Sequence, residues 1–522
     1  MDSLILRMRR GTPRRFPIRP GIRRDRARAL PRGRGRTGLV LAAVLAVVPA
    51  SSGCGIRTER WSRPVSGVTA VQTIDPGVVP GLDVETRTGD GPERHMYAAY
   101  PRIPGADPLT DRLASAVDDR IRAFEADTAD TARGRDGDAP AASSGGRAPE
   151  LNVQWSLTAA SGQVAGVRLV TWQYLGASGG ETRRTFWYDG TTGRAHPSSD
   201  LLDGDRGLDA LARLVRDRLG ARGDPGQVEA DARAFPSLVF NEAGDLVVEF
   251  SDFTVAPRSA GRVAVALGRE DYDPLLSDVG RRARDAAVAV RPRPALAAAE
   301  PDARPTPSPS VPPPAAPSPS GTSRPDCARA KCVALTFDDG PGPVTRRLLD
   351  ALARRQARAT FFVVGGSAHA YPDTIRRIAA AGHELGNHTQ NHRDLGRLPA
   401  LQVNTDIQAT QQVLRTVLGR APVLLRPPYG STNGTVEGVA GSLGLRQVGW
   451  SADPGDRGED DAGTIADRTV DAARPGGIVL LHDGHGPTAD AVPAIVDRLA
   501  GDGYTLVTVS DLLAGQTHRH GG

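Results

Sequence analysis

Carboxylate and imidazole side chains follow two short apolar runs in the C-terminal part of the chain. Asp338 and Asp339 come directly after the first run, and adjacent carboxylates there could divide the work, one holding a metal ion and the other accepting a proton. His388 and His392 follow the second run and share one face if the intervening turn is helical. Neutral imidazoles at this spacing can bind one divalent ion. Each pair alone has an ordinary alternative, because Asp-Asp-Gly-Pro commonly forms a turn and histidines often lie at the surface.

Two further runs end in residues that could complete such a site. Arg426 opens an Arg-Pro-Pro-Tyr-Gly segment with a restricted backbone, and its guanidinium could pair with a carboxylate and hold it ionised. His482 follows the apolar run Ile478–Leu481 and suits a general acid. Considered singly, Arg426 could be a surface residue on a rigid loop and His482 a structural histidine. With an Asp from another strand end, the histidine pair would form a metal site with open positions, which suits catalysis.

Seven short apolar runs alternate with six amphipathic helical patterns across this segment. The runs are 333–337, 360–364, 384–386, 423–425, 447–450, 478–481 and 505–509, and the helical patterns lie near 344–356, 373–382, 402–418, 435–444, 464–474 and 488–501. Such alternation predicts an α/β fold with a parallel sheet, either closed into a barrel or doubly wound. Reactive residues are then expected where strands end and loops begin, which is where all four groups lie.

The four motifs, in their order along the chain, resemble those of the NodB-type polysaccharide deacetylases, which form carbohydrate esterase family 4. They read Thr-Phe-Asp-Asp-Gly-Pro (336–341), His-Thr-x-x-His (388–392), Arg-Pro-Pro-Tyr-Gly (426–430) and Leu-x-His (480–482). The resemblance spans residues 327–516. It implies a NodB homology domain with a distorted (β/α)7 barrel fold, and a metal-dependent hydrolase that removes acetyl groups from an N-acetylated polysaccharide. These residues contain no Gly-x-Ser-x-Gly segment, which argues against a serine esterase.

The resemblance also implies a division of labour among the matched polar residues. Asp338 is implied as the general base, with Arg426 as its ion-pair partner. Asp339, His388 and His392 are implied as the metal ligands. Zinc is the expected ion, with cobalt or manganese as alternatives.

Further matched positions are implied to act on the acetyl group and the leaving amine. Pro428 and Tyr429 match the loop whose backbone N–H, at Tyr429, helps to stabilise the oxyanion. Leu480 matches an apolar wall for the acetyl methyl group. His482 matches the acid that protonates the departing amine, and Asp456 matches the carboxylate that orients this histidine.

One position departs from the family pattern. The residue after Asp456 is usually Trp in the family, whereas this chain has Arg457. The change removes an aromatic wall from the substrate groove, so we expect it to affect substrate preference and rate more than the reaction itself.

The positive charge of the chain is concentrated at its N-terminus. Thirteen Arg and two Asp give residues 1–36 a charge of +11, whereas the whole chain carries +5, so the remainder carries −6. A mildly acidic body does not favour nucleic-acid binding. The uncharged run Gly38–Ala50 is short for a bilayer span and suits the apolar core of a signal peptide. Residues 1–54 are therefore predicted to be a basic leader that directs export.

The three cysteines fit an exported protein. Ser51-Ser52-Gly53-Cys54 resembles a bacterial lipobox, so Cys54 is the predicted lipidation site and membrane anchor. Cleavage nearby or a retained N-terminal anchor are the alternatives, and each places the body outside the cytoplasm. Cys327 and Cys332 lie five positions apart and are predicted to form a short-loop disulfide. A zinc site at this pair is disfavoured, because no second Cys or His pair lies nearby.

The segment before the barrel is predicted to be a separate α+β domain at residues 60–285. Strands are expected at 164–174, 185–188, 246–250 and 263–267, a helix at 208–219, and a low-complexity loop or insertion at 126–149. Segments 185–194 and 253–261 resemble the extracytoplasmic domain of RsiV-type anti-sigma factors and some envelope deacetylases. Because relatives of that domain include a lysozyme-binding one, the resemblance implies capture of lysozyme or another envelope protein. A structural module that presents the enzyme is the alternative.

Residues 291–326 are rich in Pro and Ser and are predicted to be a semi-rigid linker in front of the barrel. An exported anchor and such a spacer would bring the barrel within reach of the cell wall, so the sequence predicts a peptidoglycan deacetylase of the bacterial envelope. The same chemistry would also serve chitin oligomers or O-acetyl xylan. An alternative from a different functional class is an envelope sensor or lysozyme-binding lipoprotein, in which the barrel would be vestigial.

Overall fold

The computed structural model describes residues 69–517, apart from 92–93, 134–147, 177, 221–222, 258–261 and 290–324. The predicted leader, the lipidation site Cys54 and nearly all of the predicted linker lie outside the described residues. Among the helices that are described, none is long and apolar enough to cross a membrane.

The described chain begins with a six-stranded sheet that carries a long helix on one face. The strands are β1 (Asp83–Gly91), β2 (Arg94–Arg102), β3 (Glu150–Ala160), β4 (Val164–Tyr174), β5 (Gly179–Asp189) and β6 (Arg194–Pro197), and they lie side by side in chain order. Strands β2 and β3 are the one parallel pair of this sheet. Parallel neighbours need a long crossover connection, and helix α1 (Asp107–Arg133) forms part of it. Leu109, Leu113 and Val117 recur at helical spacing and share a buried core with Leu151 and Val153 of β3.

A smaller antiparallel layer follows. It consists of α2 (Gly204–Leu219), β7 (Ser237–Phe240), β8 (Leu246–Glu249), β9 (Ala264–Leu267), α3 (Arg269–Tyr272) and α4 (Asp278–Ala289). The fully buried carboxylate of Glu249 accepts two hydrogen bonds from Arg168 of β4, at 2.5 and 2.8 Å, and so ties this layer to the larger sheet.

The C-terminal part alternates strands and helices. Its elements are β10 (Cys332–Asp338), α5 (Thr345–Arg354), β11 (Thr360–Val363), α6 (Gly365–Ala370), α7 (Pro372–Ala380), β12 (Glu384–Asn387), α8 (Ala400–Leu418), β13 (Leu424–Leu425), α9 (Gly434–Ser442), β14 (Arg446–Gln447), α10 (Ala462–Ala472), β15 (Gly477–His482), α11 (Gly486–Gly501), β16 (Thr505–Leu506) and α12 (Val509–Thr517).

These seven strands form one parallel sheet that curls toward a barrel. The order is β14-β13-β12-β11-β10-β15, with β16 beside β10. A bridge between Ala452 and Val479 ties the segment after β14 to β15 and brings the two ends of the sheet together. Every residue of β10 is buried, as expected for a strand covered on both faces. Because the strands are parallel, their carboxyl ends meet at one edge, and the loops that follow them can share a site.

The predicted α/β alternation is confirmed, with local differences in the C-terminal part. The strand expected at 447–450 is instead the short β14, Arg446–Gln447. The run 505–509 was expected to be a strand, but the strand ends at Leu506 and Val509 begins α12. Helix α6 was not predicted, because its small residues give no amphipathic pattern. The loop prediction at 126–149 is wrong for 126–133, where α1 continues. Ala has a high helix propensity, so an Ala-rich segment can continue a helix as well as form a loop.

The prediction of a separate α+β domain is not confirmed, because residues 59–522 cluster into one compact unit. The sheet face opposite α1 packs against the loops of the C-terminal part. The predicted disulfide between Cys327 and Cys332 is present, with a Cα–Cα distance of 5.5 Å.

Candidate active site

The carboxyl end of β10 presents two acidic residues in different environments. Asp338 is the last residue of the strand, and Asp339 follows with a φ of 76°, a left-handed conformation that is uncommon outside glycine. Both are buried, with 3% and 6% of their surface exposed. Oδ1 of Asp338 accepts a hydrogen bond of 2.8 Å from Arg426, whereas Asp339 faces two imidazoles. Asp338 is therefore held mainly by an arginine, whereas Asp339 lies closest to the two imidazoles.

His388 and His392 lie in the loop after β12, and their Nε2 atoms stand 3.3 and 2.9 Å from Oδ1 of Asp339. Nδ1 of His388 lies 2.7 Å from the carbonyl oxygen of Arg426. Because a carbonyl oxygen only accepts hydrogen bonds, Nδ1 carries the proton and Nε2 presents its lone pair to Asp339. Burial lowers the pKa of both imidazoles, that of His392 well below its ordinary value, which favours the neutral form that binds metals.

The three side chains fit a divalent metal ion. Their candidate ligand atoms all lie within 4.8 Å of one another and all three residues are buried. Oδ1 of Asp339 has no hydrogen-bond partner among the described residues. Acceptor atoms of a carboxylate and two neutral imidazoles repel one another unless a cation lies among them. One oxygen and two nitrogen ligands suit zinc and leave positions open for water or substrate.

The metal-ligand loop has an unusual backbone. Thr389 and His392 have φ values of 66° and 50°, and a β-branched residue such as Thr389 rarely adopts this conformation. The side chain of Asn387 accepts a hydrogen bond of 2.7 Å from the backbone N–H of Thr389, and donates one of 2.9 Å to the carbonyl of Ile407. Such conformations persist only where the surroundings hold them in place.

Arg426 is fully buried beneath this loop, at the end of β13. Its guanidinium donates to Asp338 and to the Thr336 hydroxyl, at 2.8 and 2.7 Å, and to two backbone carbonyls, those of Val448 and Gly449. It also lies 4.1 Å from the ring centre of Phe362. Burial lowers the pKa of Arg426, but guanidinium remains the charged form near neutral pH, so the pair with Asp338 is ionic.

His482 ends β15 and lies opposite Asp338 in the register of the neighbouring strand β10. Its Nδ1 lies 2.7 Å from Oδ1 of Asp456, whose other oxygen accepts hydrogen bonds from the His482 backbone and from Thr488. Burial raises the pKa of Asp456, but its interactions with His482 and Thr488 lower it more, so the net pKa lies below its ordinary value. A carboxylate acceptor on Nδ1 leaves Nε2 of His482 as the atom that can exchange a proton with substrate.

The Arg-Pro-Pro-Tyr-Gly loop borders the metal ligands. Pro428 is buried, and Tyr429 has a φ of 60°. The Tyr429 hydroxyl lies 3.2 Å from Nδ1 of His392. Leu480 is 5% exposed and pairs with Thr336 in the sheet, two residues before His482. The structure thus brings together, at one edge of the barrel sheet, every residue that the sequence predicted for the barrel site.

Arg457 also enters the site. A guanidinium nitrogen contacts Oδ2 of Asp339, whereas the two imidazoles lie close to Oδ1. The side chain is 12% exposed, and burial lowers its pKa to about 9. The sequence identified this position as a departure, but its contact with a metal-ligand carboxylate was not predicted.

Sequence reasoning missed two further polar residues next to the site. The Thr345 hydroxyl lies 2.8 and 2.7 Å from the two oxygens of Asp483, and the Asp483 backbone N–H donates to the Asp338 carbonyl at 2.7 Å. Burial raises the pKa of Asp483 to about 7. Adjacency to His482 was the available signal for Asp483, whereas nothing in the sequence singled out Thr345.

Residues 326–448 match a family model described as polysaccharide deacetylase. The chain is 39% identical over 183 residues to the peptidoglycan-N-acetylmuramic acid deacetylase PdaC of Bacillus subtilis (strain 168), an alignment that covers 35% of this chain and 38% of PdaC. It is 36% identical over 189 residues to the peptidoglycan-N-acetylglucosamine deacetylase PgdA of Listeria monocytogenes, covering 36% of this chain and 40% of PgdA. The chain therefore spans about two fifths of the length of these two relatives.

A chitooligosaccharide deacetylase of Rhizobium leguminosarum bv. trifolii is 38% identical over 189 residues. That alignment covers 33% of this chain and 88% of the rhizobial protein. A solved structure of PdaC is 37% identical and covers 37% of this chain and 95% of that one, with a TM-score of 0.36.

Proposed function

Because the chain belongs to the polysaccharide deacetylase family, we propose that residues 327–516 hydrolyse the acetamido groups of an N-acetylated extracellular polysaccharide and release acetate. One observation carries this proposal. A buried Asp-His-His set, a second carboxylate paired with an arginine, and a histidine held by an aspartate meet at one edge of a parallel sheet. Together these groups can supply a Lewis acid, a general base and a general acid.

We propose zinc as the ion held by Asp339, His388 and His392. When bound there, it would polarise the acetyl carbonyl and make a water molecule more acidic. The donation from Nδ1 of His388 to the Arg426 carbonyl supports this assignment, because it fixes the tautomer whose Nε2 is free to bind the ion.

Asp338 is proposed as the general base that takes the proton of the attacking water. Arg426 holds Oδ1, while Oδ2 lies 3.7 Å from Nε2 of His388 and so faces the metal ligands. The buried guanidinium supplies a fixed countercharge and a fixed direction for this carboxylate. A base held in one orientation needs little reorganisation as the proton moves.

His482 is proposed as the acid that protonates the departing nitrogen. Asp456 holds its Nδ1, stabilises the imidazolium form and leaves Nε2 to face the substrate. The backbone N–H of Tyr429 is proposed to donate to the oxyanion that develops from the acetyl carbonyl. Leu480 and Pro428 are proposed as apolar surroundings of the acetyl group.

Peptidoglycan is the proposed substrate, and the site would lie on the outer side of a bacterial membrane. Two relatives named as peptidoglycan deacetylases and the predicted export leader support this choice. Chitin oligomers are the second candidate, supported by the rhizobial relative that the chain covers almost completely. O-acetyl xylan is a third. We also propose Cys54 as a lipid anchor.

A partner-binding role for residues 60–285 remains a separate proposal, based on the resemblance of segments 185–194 and 253–261 to RsiV-type domains. One face of the six-stranded sheet is covered by α1 and the other packs against the barrel loops. A partner such as lysozyme would therefore meet the edges or loops of the sheet, or the part of its second face around Arg168 and Trp172 that the barrel loops leave partly exposed. Binding of lysozyme to the mature chain, measured by calorimetry, tests this role, and lack of binding would remove it.

Acetate release by the full mature chain tests the catalytic proposal. Purified peptidoglycan and N-acetylchitohexaose would be compared as substrates, each after chelation and after zinc is returned. We expect activity that chelation removes, that zinc restores and that Asp338→Asn lacks. The preferred polymer decides between the wall and chitin. No release from either polymer by the folded, zinc-loaded chain would overturn N-deacetylation of these glycans.

A further inference from the structure

The sheet face that points away from α1 lies directly against residues 391–394 of the metal-ligand loop. In β2 and β3, every second residue contacts the barrel loops, because alternate side chains of a strand lie on the same face of the sheet. The strands pair in parallel with His95 beside Glu150 and Tyr97 beside Asn152, so both strands present these side chains to the loop. The interface is thus built from regular strand positions.

Hydrogen bonds from this face reach consecutive residues of the loop. Nδ2 of Asn152 donates to the carbonyl oxygens of Asn391 and His392, at 2.8 and 3.1 Å. Nε2 of Gln154 also donates to the Asn391 carbonyl, at 2.7 Å. One carboxylate oxygen of Glu150 accepts from the Asp394 backbone N–H at 3.0 Å. Asn152 and Glu150 are each 2% exposed, so these bonds are shielded from water.

Aromatic stacking orients the metal-ligand side chain itself. The Tyr97 ring stacks on the His392 imidazole, with centroids 4.5 Å apart and an angle of 18° between the planes. His95 stacks on Tyr429 at 4.0 Å and 4°, and the Tyr429 hydroxyl reaches Nδ1 of His392. The plane of the His392 ring decides where its Nε2 lone pair points. Rings from the sheet therefore help to aim that lone pair at Asp339.

The backbone of His392 needs such support, because its φ of 50° is unfavourable for a side chain of this size. The amide of Asn152 binds the carbonyl of this same residue, and Tyr97 packs against its ring. The sheet thus constrains both the backbone and the side chain of one metal ligand.

We propose that Asn152 and Tyr97 are positioning residues of the metal site, and that the six-stranded sheet is a working part of the catalytic unit. The proposal rests on the proposed function only in taking Asp339, His388 and His392 as the metal ligands. Both side chains are buried, with 2% and 1% of their surface exposed, and neither is proposed to contact substrate. Each acts through His392, and loss of either weakens metal binding, as is usual when groups that orient metal ligands are removed.

Asn152→Asp in the full mature chain is the main test. The change keeps the size of the side chain but sets a carboxylate against two carbonyl oxygens, which repel it. We expect zinc affinity, measured by competition with a chromophoric chelator, to fall by about tenfold to a hundredfold. We also expect the visible spectrum of the cobalt-substituted protein to change, because that spectrum reports ligand geometry. Gln163→Glu makes the same chemical change at an exposed position and should leave both readouts unaltered.

Tyr97 provides a second, independent pair of variants. Tyr97→Phe keeps the stacked ring and should bind zinc like the unmodified chain, whereas Tyr97→Ala should bind it about tenfold more weakly. If Asn152→Asp does not fold, as judged by its melting curve in chelator, the two Tyr97 variants test the proposal on their own. Metal binding is measured without substrate, so an inactive enzyme would not affect the result. Folded Asn152→Asp or Tyr97→Ala with unchanged zinc affinity and cobalt spectrum would overturn the proposal.

Discussion

Arg457 and Asp339 form an ion pair at the centre of the site. A guanidinium nitrogen contacts Oδ2 of Asp339, and Oδ1 of the same carboxylate faces His388 and His392. With a pKa lowered to about 9 by burial, Arg457 is still charged at neutral pH. A divalent ion bound by Asp339 would share this carboxylate with a positive charge, and the two cations would repel each other.

Replacement of Arg457 should therefore strengthen metal binding. We expect Arg457→Gln to raise zinc affinity by roughly tenfold, because one nearby positive charge is removed from a poorly solvated site. Chelator competition measures the change, and Arg457→Lys, which keeps the charge, should remain closer to the unmodified chain. Arg446→Gln, at an exposed position, is the matched control. Equal affinities for all four proteins would contradict the predicted repulsion between Arg457 and the bound ion.

Asp338→Asn should separate catalysis from metal binding. The amide introduced by this change could not accept a proton from water, so we expect kcat to fall by about 10² to 10⁴. Zinc affinity should change only a few fold, because Asp338 bonds to Arg426 and is not one of the three converging ligands. Acetate release and chelator competition report the two effects. Asp350→Asn, an exposed carboxylate on α5, controls for the loss of an acid. A parallel collapse of zinc affinity would instead make Asp338 part of the metal site.

Asp456→Asn should alter the pH dependence of turnover. Burial and the charge of Arg457 lower the pKa of His482, whereas Asp456 raises it. Without the Asp456 charge the pKa of His482 falls further. As the pH is raised, His482 then loses its proton at a lower pH than in the unmodified chain. We expect the alkaline limb of kcat to move to lower pH and kcat to fall tenfold or more. A pH–rate profile of the zinc-loaded variant checks this, and an unmoved alkaline limb would exclude His482 as the acid.

Because of Asp483, the free energy of unfolding should decrease as the pH rises. An ion-paired acid has the opposite effect. Burial raises its pKa from 3.8 to about 7, so between these values the folded chain binds a proton that the unfolded chain releases. The contribution of Asp483 to the free energy of unfolding is therefore fully present below pH 4 and is lost as the pH rises toward 7. The loss is on the order of a few kcal/mol, at roughly 1.4 kcal/mol for each pKa unit.

Asp483→Asn removes this titration, so the variant should gain stability relative to the unmodified chain between pH 5 and pH 8. Urea unfolding in chelator at both pH values measures the difference. Asp490→Asn, an exposed carboxylate on α11, should show no such gain. A stability difference between Asp483→Asn and the unmodified chain that is the same at both pH values would contradict the shifted pKa.

Strand ends were the part of the site that the sequence predicted well. Asp338 and His482 each follow an apolar run, and parallel strands must bring their carboxyl ends to one edge, so motif order was enough to place them together. The contact of Arg457 with Asp339 was not predictable in this way. It depends on the path of the loop after β14, where no periodic pattern fixes the direction of a side chain.

The docking of the sheet on the metal-ligand loop also escaped prediction. Alternation in β3 marks Asn152 and Gln154 as the polar face, and such a face would ordinarily be assigned to solvent. Their acceptors lie about 240 positions further along the chain. Local patterns carry no information about pairs that distant. The same limit explains why the two parts of the chain were expected to be separate domains.

The match between strand face and metal-ligand loop also constrains how this chain can be recombined with its relatives. A barrel transplanted from a relative would bring its own residues at 391–394, and these would meet Tyr97 and Asn152 of the recipient sheet. Chimeras that cross over between positions 290 and 324 should therefore bind zinc poorly unless both partners are inherited together. The unit to be moved intact would then be the sheet with the barrel, although the family model begins only at residue 326.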